Sequence, residues 1–208
     1  MIPNVSFGQK IPFAVYSVYN KQKQQSENVE MYRLDCTDKQ DVYEVMSAPN
    51  IYMYTDQIAS LMDVQHMYYE TKKMMPPDIW EKYFTDDEPT CAVYVTKNED
   101  DEVIGICQTG PAENSEMIEF IETNHHGVYK YIGQGMIASI AKKLLKQNKE
   151  EISIYRPVKS AKGFYEKCGF NVNHPEALTA KKEDLQNIVD TYESKVGKKI
   201  IGFFYLHQ

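Results

Sequence analysis

The chain has 208 residues, 42% of them hydrophobic and 25% charged, with a formal net charge of −7. This is the composition of a folded globular domain large enough to build a core without disulfide or metal staples. The longest apolar run, 200–206, is seven residues and contains a glycine, which excludes a membrane-spanning helix of about 20 residues, and the acidic balance argues against a nucleic-acid partner, which needs a basic face.

Taken in chain order by hydrophobic period and breakers, residues 1–30 are rich in Tyr, Gln, Lys and Asn. They are expected to form an extension with a short strand at 12–19 and a polar linker at 20–28. A strand at 31–34 precedes Thr37, which suits the N-cap of a helix running to about residue 46. Helical patterning returns at 55–69 and, after Pro76 and Pro77 break it, at 77–84. The period then changes to that of strands at 91–96 and 103–109, joined as a hairpin, with a third at 117–123. The helix predicted over 136–147 gathers Met136, Ile137, Ile140, Ala141, Leu144 and Leu145 on one face. A strand at 152–155, a short helix at 160–167, a strand at 170–173, a helix at 181–194 and a strand at 199–206 complete the chain.

Cys36, Cys91, Cys107 and Cys168 form no C-x-x-C pair, and the five histidines show no ligand spacing, so no metal site is expected. The first ten residues do not read as a secretion signal, and reduced thiols in a cytoplasmic protein are expected. Charge is distributed unevenly: residues 127–182 carry eleven basic against four acidic side chains, or +7, while the rest of the chain carries −14. A small polyanion held in one place fits this pattern, unless Lys142, Lys143, Lys146 and Lys149 merely form a solvated helix face.

Gly133-Gln134-Gly135 precedes the 136–147 helix with no Ser, Thr, Asp or Asn to cap it. Unpartnered amides and the helix dipole at such a turn suit a phosphate. Gly133 to Ala138 also spells G-x-G-x-x-A, yet it stands two-thirds along the chain and no acid follows the next strand at Tyr155-Arg156. A nicotinamide or flavin fold requires both an early position and that acid, so it is excluded.

The block 102–172 resembles the GNAT superfamily of acyl-CoA-dependent N-acyltransferases. Ala161-Lys-Gly-Phe164-Tyr165-Glu166-Lys167-Cys168-Gly169-Phe170 is similar to its A-x-x-F-Y-E-K-x-G-F segment at nearly every position. The phosphate-loop motif R/Q-x-x-G-x-G/A is matched less well. A register with Gly135 fourth puts Ile132 and Ile137 at its ends and sets Met136, Ile140 and Ala141 on the following apolar positions, and is preferred. The other register uses Lys130, Gly133 and Gly135.

The resemblance implies an α+β fold with a central, mostly antiparallel mixed sheet flanked by helices over 31–208, leaving 1–30 outside as an N-terminal extension. It implies acetyl-CoA as co-substrate, its pyrophosphate on the amides of Ile132, Gly133, Gln134, Gly135, Met136 and Ile137, and its pantetheine arm along Thr123, Asn124 and His125. Tyr165 matches the tyrosine that protonates the departing thiolate. For the base that takes the amine proton, Glu119, Glu122 and His125 all stand on the preceding strand, with Glu119 best placed by spacing from Gly135. The acceptor groove is expected between 52–80 and an insert at 173–198, and the acidic remainder of the surface favours a cationic amine, either a small molecule or a protein group. Homodimerisation is left open. A non-catalytic CoA-binding or interaction module on the same fold is the alternative.

Overall fold

A computed structural model describes residues 10–35, 38, 40–41, 43, 67, 70–71, 73–79, 92–112, 115–124, 127–174 and 176–204. Of the helix predicted over 37–46 only 40, 41 and 43 are described as helical, and of that predicted over 55–69 only 67; the rest of both, the 77–84 helix beyond residue 79, much of the 52–80 groove wall and His125 lie outside the described residues. Helical residues are described at 70–71, 73–74 and 77–79, on both sides of Pro76.

The strands are β1 (Ala14–Asn20), β2 (Gln25–Arg33), β3 (Ala92–Lys97), β4 (Val103–Ala112), β5 (Ser115–Thr123), β6 (Tyr129–Lys130), β7 (Glu151–Tyr155), β8 (Asn171–His174), β9 (Ala177–Lys181) and β10 (Ile201–Gly202). They form one sheet in the order β10-β1-β2-β3-β4-β5-β7-β9-β8, with β6 against β1. Every pairing is antiparallel except β5 with β7. This is the mixed, mostly antiparallel sheet expected from the sequence.

Residues 14–30, set apart above as an extension and linker, belong to that sheet. Asn20 turns the chain: its Oδ1 accepts the amides of Gln22 and Lys23, and β2 returns along β1 in full register from Ala14↔Met31 to Asn20↔Gln25. The alternation in β2 escapes a reading by hydrophobicity because Glu27 takes an inward place beside Val29 and Met31. Its carboxylate is held there by Asn20 and Lys23.

Helix α1 (Ile132–Lys146) packs on one face of the sheet. A Cβ on Gly105 would lie 2.8 Å from Ile132 and 3.0 Å from Met136, so this glycine lets helix and sheet approach closely. α2 (Lys162–Cys168) follows β7 and stops at Gly169, whose φ of 106° suits the left-handed cap. α3 (Lys182–Val196) starts where Asp184 accepts the amide of Lys181 and ends at Gly197, φ 69°. It buries Leu185, Ile188, Val189, Tyr192 and Val196, lies against α1, and its Tyr192 hydroxyl donates to the carbonyl of Ser17 in β1. β9 is not among the predicted strands and pairs at 177–181 through the small-residue run Ala-Leu-Thr-Ala-Lys; of the predicted 199–206 strand, 201–202 pair among the described residues and 205–206 lie outside them.

Candidate functional site

The sheet opens between β5 and β7. Their parallel pairing runs from Ser115↔Glu151 to Ile118↔Ile154 and ends there. At the same point the β4–β5 register shifts, with Thr109 opposite Ile118 but Gln108 opposite Phe120. Glu119 is therefore an extra residue, a β-bulge that re-aims the rest of its strand. From 119 to 123, β5 is paired with β4 alone among the described residues, ending at Gly105↔Thr123. Its other edge is left for an added strand.

The start of α1 stands at the head of this opening. The helix begins at Ile132, four residues earlier than predicted, because Tyr131 takes a left-handed turn (φ 75°) and buried Ile132 seats against Gly105. No side chain caps it and its first turn holds no acid. A Cβ on Gly133 would lie 3.0 Å from the Phe164 ring and 3.7 Å from Thr123, so Gly133 joins the strand edge to α2.

Gly135 has another task. Its amide donates to the Tyr131 carbonyl at 2.9 Å, and any Cβ there would collide with the Tyr16 ring and the Tyr192 hydroxyl. Met136 and Ile137 are fully buried in the helix, where amides serve the helical ladder. Of the six amides expected from the sequence, those of Ile132, Gly133 and Gln134 precede the first helical hydrogen bond. The helix begins at Ile132, the first position of the preferred register and two residues after Lys130, the first of the other.

The basic segment is corrected too. Lys142 binds Glu193 at 2.9 Å, Lys143 binds Glu116 at 2.6 Å, and Lys146 lies over the Phe204 ring at 5.4 Å. These lysines secure the far end of α1 and do not form an anion face. Positive charge near the first turn comes instead from Lys167 and Lys195, which line a shallow cleft with Gln134 and Thr191. Sequence reading passed over both, because nothing local tells which helix α3 will cover.

Tyr165 is buried, its ring edge-on to Phe164 at 5.1 Å and to Phe170 at 6.0 Å. Burial, with the nearby thiols of Cys107 and Cys168, pushes its hydroxyl up to about 12, so it keeps its proton through neutral pH. Glu119 is exposed, accepts a hydrogen bond from Gln108 Nε2, and lies over Gly110. Glu122 is half-buried on the same strand, opposite Ile106. Asn124 donates its amide to Ile104 at 2.8 Å, continuing the strand edge past Thr123. No hydrogen bond among the described residues joins Tyr165 to Glu119.

No protein-family model matches the chain, and no curated protein matches it in sequence. Solved structures do match. An acetyltransferase assigned to the GNAT family from Desulfovibrio desulfuricans is 14% identical with a TM-score of 0.50, covering 74% of this chain and 99% of that one. The PaiA N-acetyltransferase from Thermoplasma acidophilum, solved with coenzyme A, is 15% identical with a TM-score of 0.47 over 74% and 98%. The ribosomal-protein-S18-alanine N-acetyltransferase from Escherichia coli is 9% identical with a TM-score of 0.47 over 74% and 93%. No described helix is long and apolar enough to cross a membrane. With β5 and β7 parted beneath an uncapped helix start, the chain has the fold of the GNAT superfamily.

Proposed function

We propose that this chain is a cytoplasmic acyl-CoA-dependent N-acyltransferase that moves an acetyl group from acetyl-CoA to a primary amine. The observation that carries the reading is the parting of β5 from β7 at the Glu119 bulge, with the uncapped first turn of α1 at its head. The residues fit the cofactor: three amides without side-chain caps or acidic neighbours suit a pyrophosphate, and a strand that parts from β7 after Ile118 suits the amides of a pantetheine arm.

Acetyl-CoA supplies a thioester whose carbonyl carbon an amine attacks and whose thiolate leaves. Ile132, Gly133 and Gln134 would hold the pyrophosphate, with Lys167 and Lys195 adding positive charge beside it. Residues 119–124 would align the arm so that the thioester reaches the bulge. A carboxylate there takes the proton that an amine must lose, and Tyr165 donates one to the sulfur. The acidic balance outside residues 127–182 favours a cationic acceptor, for which a panel of polyamines, amino sugars and lysine or N-terminal peptides is the natural test set.

Calorimetry with CoA and release of free thiol from acetyl-CoA across that panel test the reading. Binding together with amine-dependent thiol release is expected, and Gly133→Asp, which sets a carboxylate among the three amides, should abolish the binding. Binding without transfer to any amine would reduce the chain to a CoA-binding module. Absence of binding would remove the cofactor altogether.

A further inference from the structure

We propose that Thr96 and Tyr16 form a buried hydroxyl relay that ends on the Ile132 carbonyl and thereby sets the Gly133 amide, one of the three at the uncapped turn, towards the anion. The proposal rests on the acyltransferase reading above and adds two positioning residues to it, both outside the block 102–172 that carries the resemblance.

The relay has a single direction. The Tyr16 hydroxyl lies 2.8 Å from Thr96 Oγ1 and 3.3 Å from the Ile132 carbonyl oxygen. A carbonyl only accepts and a phenol carries one proton, so that proton goes to Ile132 and the Thr96 hydroxyl donates to Tyr16. Burial holds the Tyr16 hydroxyl well above the usual tyrosine range, which keeps it a donor at neutral pH. Thr96 is 0% and Tyr16 2% exposed, and buried hydroxyls cost stability unless they are paired. Val and Phe would serve packing at these positions; the fold instead keeps two hydroxyls in a row that ends on one peptide.

The other end of that peptide is the Gly133 amide. In a trans peptide the C=O and N–H point in opposite directions, and at a helix start the carbonyl faces along the axis while the amide faces out of the N-terminus. A hydrogen bond into the Ile132 oxygen therefore fixes the plane that aims the Gly133 amide, and by drawing electron density from that amide it makes a stronger donor to an anion. The Tyr16 ring holds the same turn at a second point, since a Cβ on Gly135 would collide with it. Tyr192 of α3 stands edge-on to this ring, centroids 6.1 Å apart at 76°, with its own hydroxyl on the Ser17 carbonyl. β1, β3 and α3 thus brace the first turn of α1 from within the core. Tyr16 touches no part of the cofactor in this account, so its effect passes through Gly133.

The test compares wild type with Tyr16→Phe, Thr96→Val and Thr96→Ser. Readouts are the affinities for CoA and for dephospho-CoA, which shares the pyrophosphate and lacks the ribose phosphate, kcat at saturating acetyl-CoA, and the Gly133 amide nitrogen resonance without ligand. Tyr16→Phe keeps the ring on Gly135 and should weaken both ligands by the same factor, about 3- to 10-fold, with kcat unchanged and the Gly133 resonance moved upfield. Thr96→Val should act in the same direction at about 2-fold, Thr96→Ser should restore wild-type values, and this pair decides the matter if Tyr16→Phe does not fold. A folded variant with lowered melting temperature but unchanged affinities and an unmoved Gly133 resonance makes these hydroxyls structural and overturns the relay, as does a loss confined to CoA or a fall in kcat alone; each leaves the enzyme in place. A wild type that binds no CoA overturns the acyltransferase reading and the relay with it.

Discussion

The two halves of β5 use carboxylates in opposite ways. From Ser115 to Ile118 the strand is paired on both sides, and Glu116 is buried in an ion pair with Lys143, which also reaches the Tyr94 hydroxyl at 3.3 Å. From Glu119 to Thr123 it is paired on one side among the described residues, and Glu119 is exposed and accepts a hydrogen bond from Gln108. Three residues along one strand separate a carboxylate that holds α1 on the sheet from one that stands exposed at the opening. The bulge makes the difference, since it ends one ladder and re-aims the strand in a single residue.

The largest effect expected at the open end is on turnover. Tyr165→Phe keeps the ring packed between Phe164 and Phe170 and deletes only the hydroxyl, so kcat should fall about 10²- to 10⁴-fold with CoA affinity nearly intact. A wild-type rate with a good amine would remove Tyr165 from the mechanism, and lost binding would make it a packing residue. At the closed end the largest effect should be on stability. Lys143→Met strands the buried Glu116 carboxylate and should cost about 3 kcal/mol in denaturant melts without changing kcat of the folded protein. A fall in kcat at unchanged stability would erase the distinction between the two halves.

The same Tyr165→Phe variant, followed against pH, gives the next effect in size. Burial raises this hydroxyl to about 12, so the folded chain keeps a proton that the unfolded chain gives up from about 10. The contribution is fully present below pH 10 and is lost as pH rises towards 12. The wild-type stability advantage over the variant should therefore shrink by on the order of 2 kcal/mol across that window, and a constant difference would show the hydroxyl to be solvated. The smallest effect is Thr109→Val, which removes the second hydrogen bond to Glu116 and should cost about 1 kcal/mol with no change in turnover.

Much of the frame was legible in the sequence because hydrophobic period reports burial directly. The β3–β4 hairpin, β7, β8 and α3 fall within one to three residues of their predicted bounds. The first hairpin was not legible, because Asn20, Glu27 and Asn28 supply polar groups that the fold satisfies with one another. The site shows the same division. Gly133, Thr123 and Tyr165 follow from motif resemblance, and the structure places Gly133 against Thr123 and Phe164. Gly135 looked like a phosphate glycine and proved to be a packing glycine, since its neighbours Tyr16 and Tyr192 stand 119 and 57 residues away in sequence. Gln108 and Gly110 gave no signal at all, because their contact with Glu119 depends on a one-residue register shift that no composition encodes.

The hydrogen bond from Tyr192 to Ser17 joins residues 175 positions apart, and β10 pairs with the same early strand. During synthesis at roughly 5–20 residues per second, about 9 to 35 s pass between the appearance of the two partners. Until then β1 has β2 on one side and, on the other, β6 at Tyr19 and Asn20 alone among the described residues, and the rest is the kind of edge that templates association between chains. The nascent protein must therefore be sheltered longest at its beginning, until the helix that closes over α1 and the strand that follows it cover that edge together.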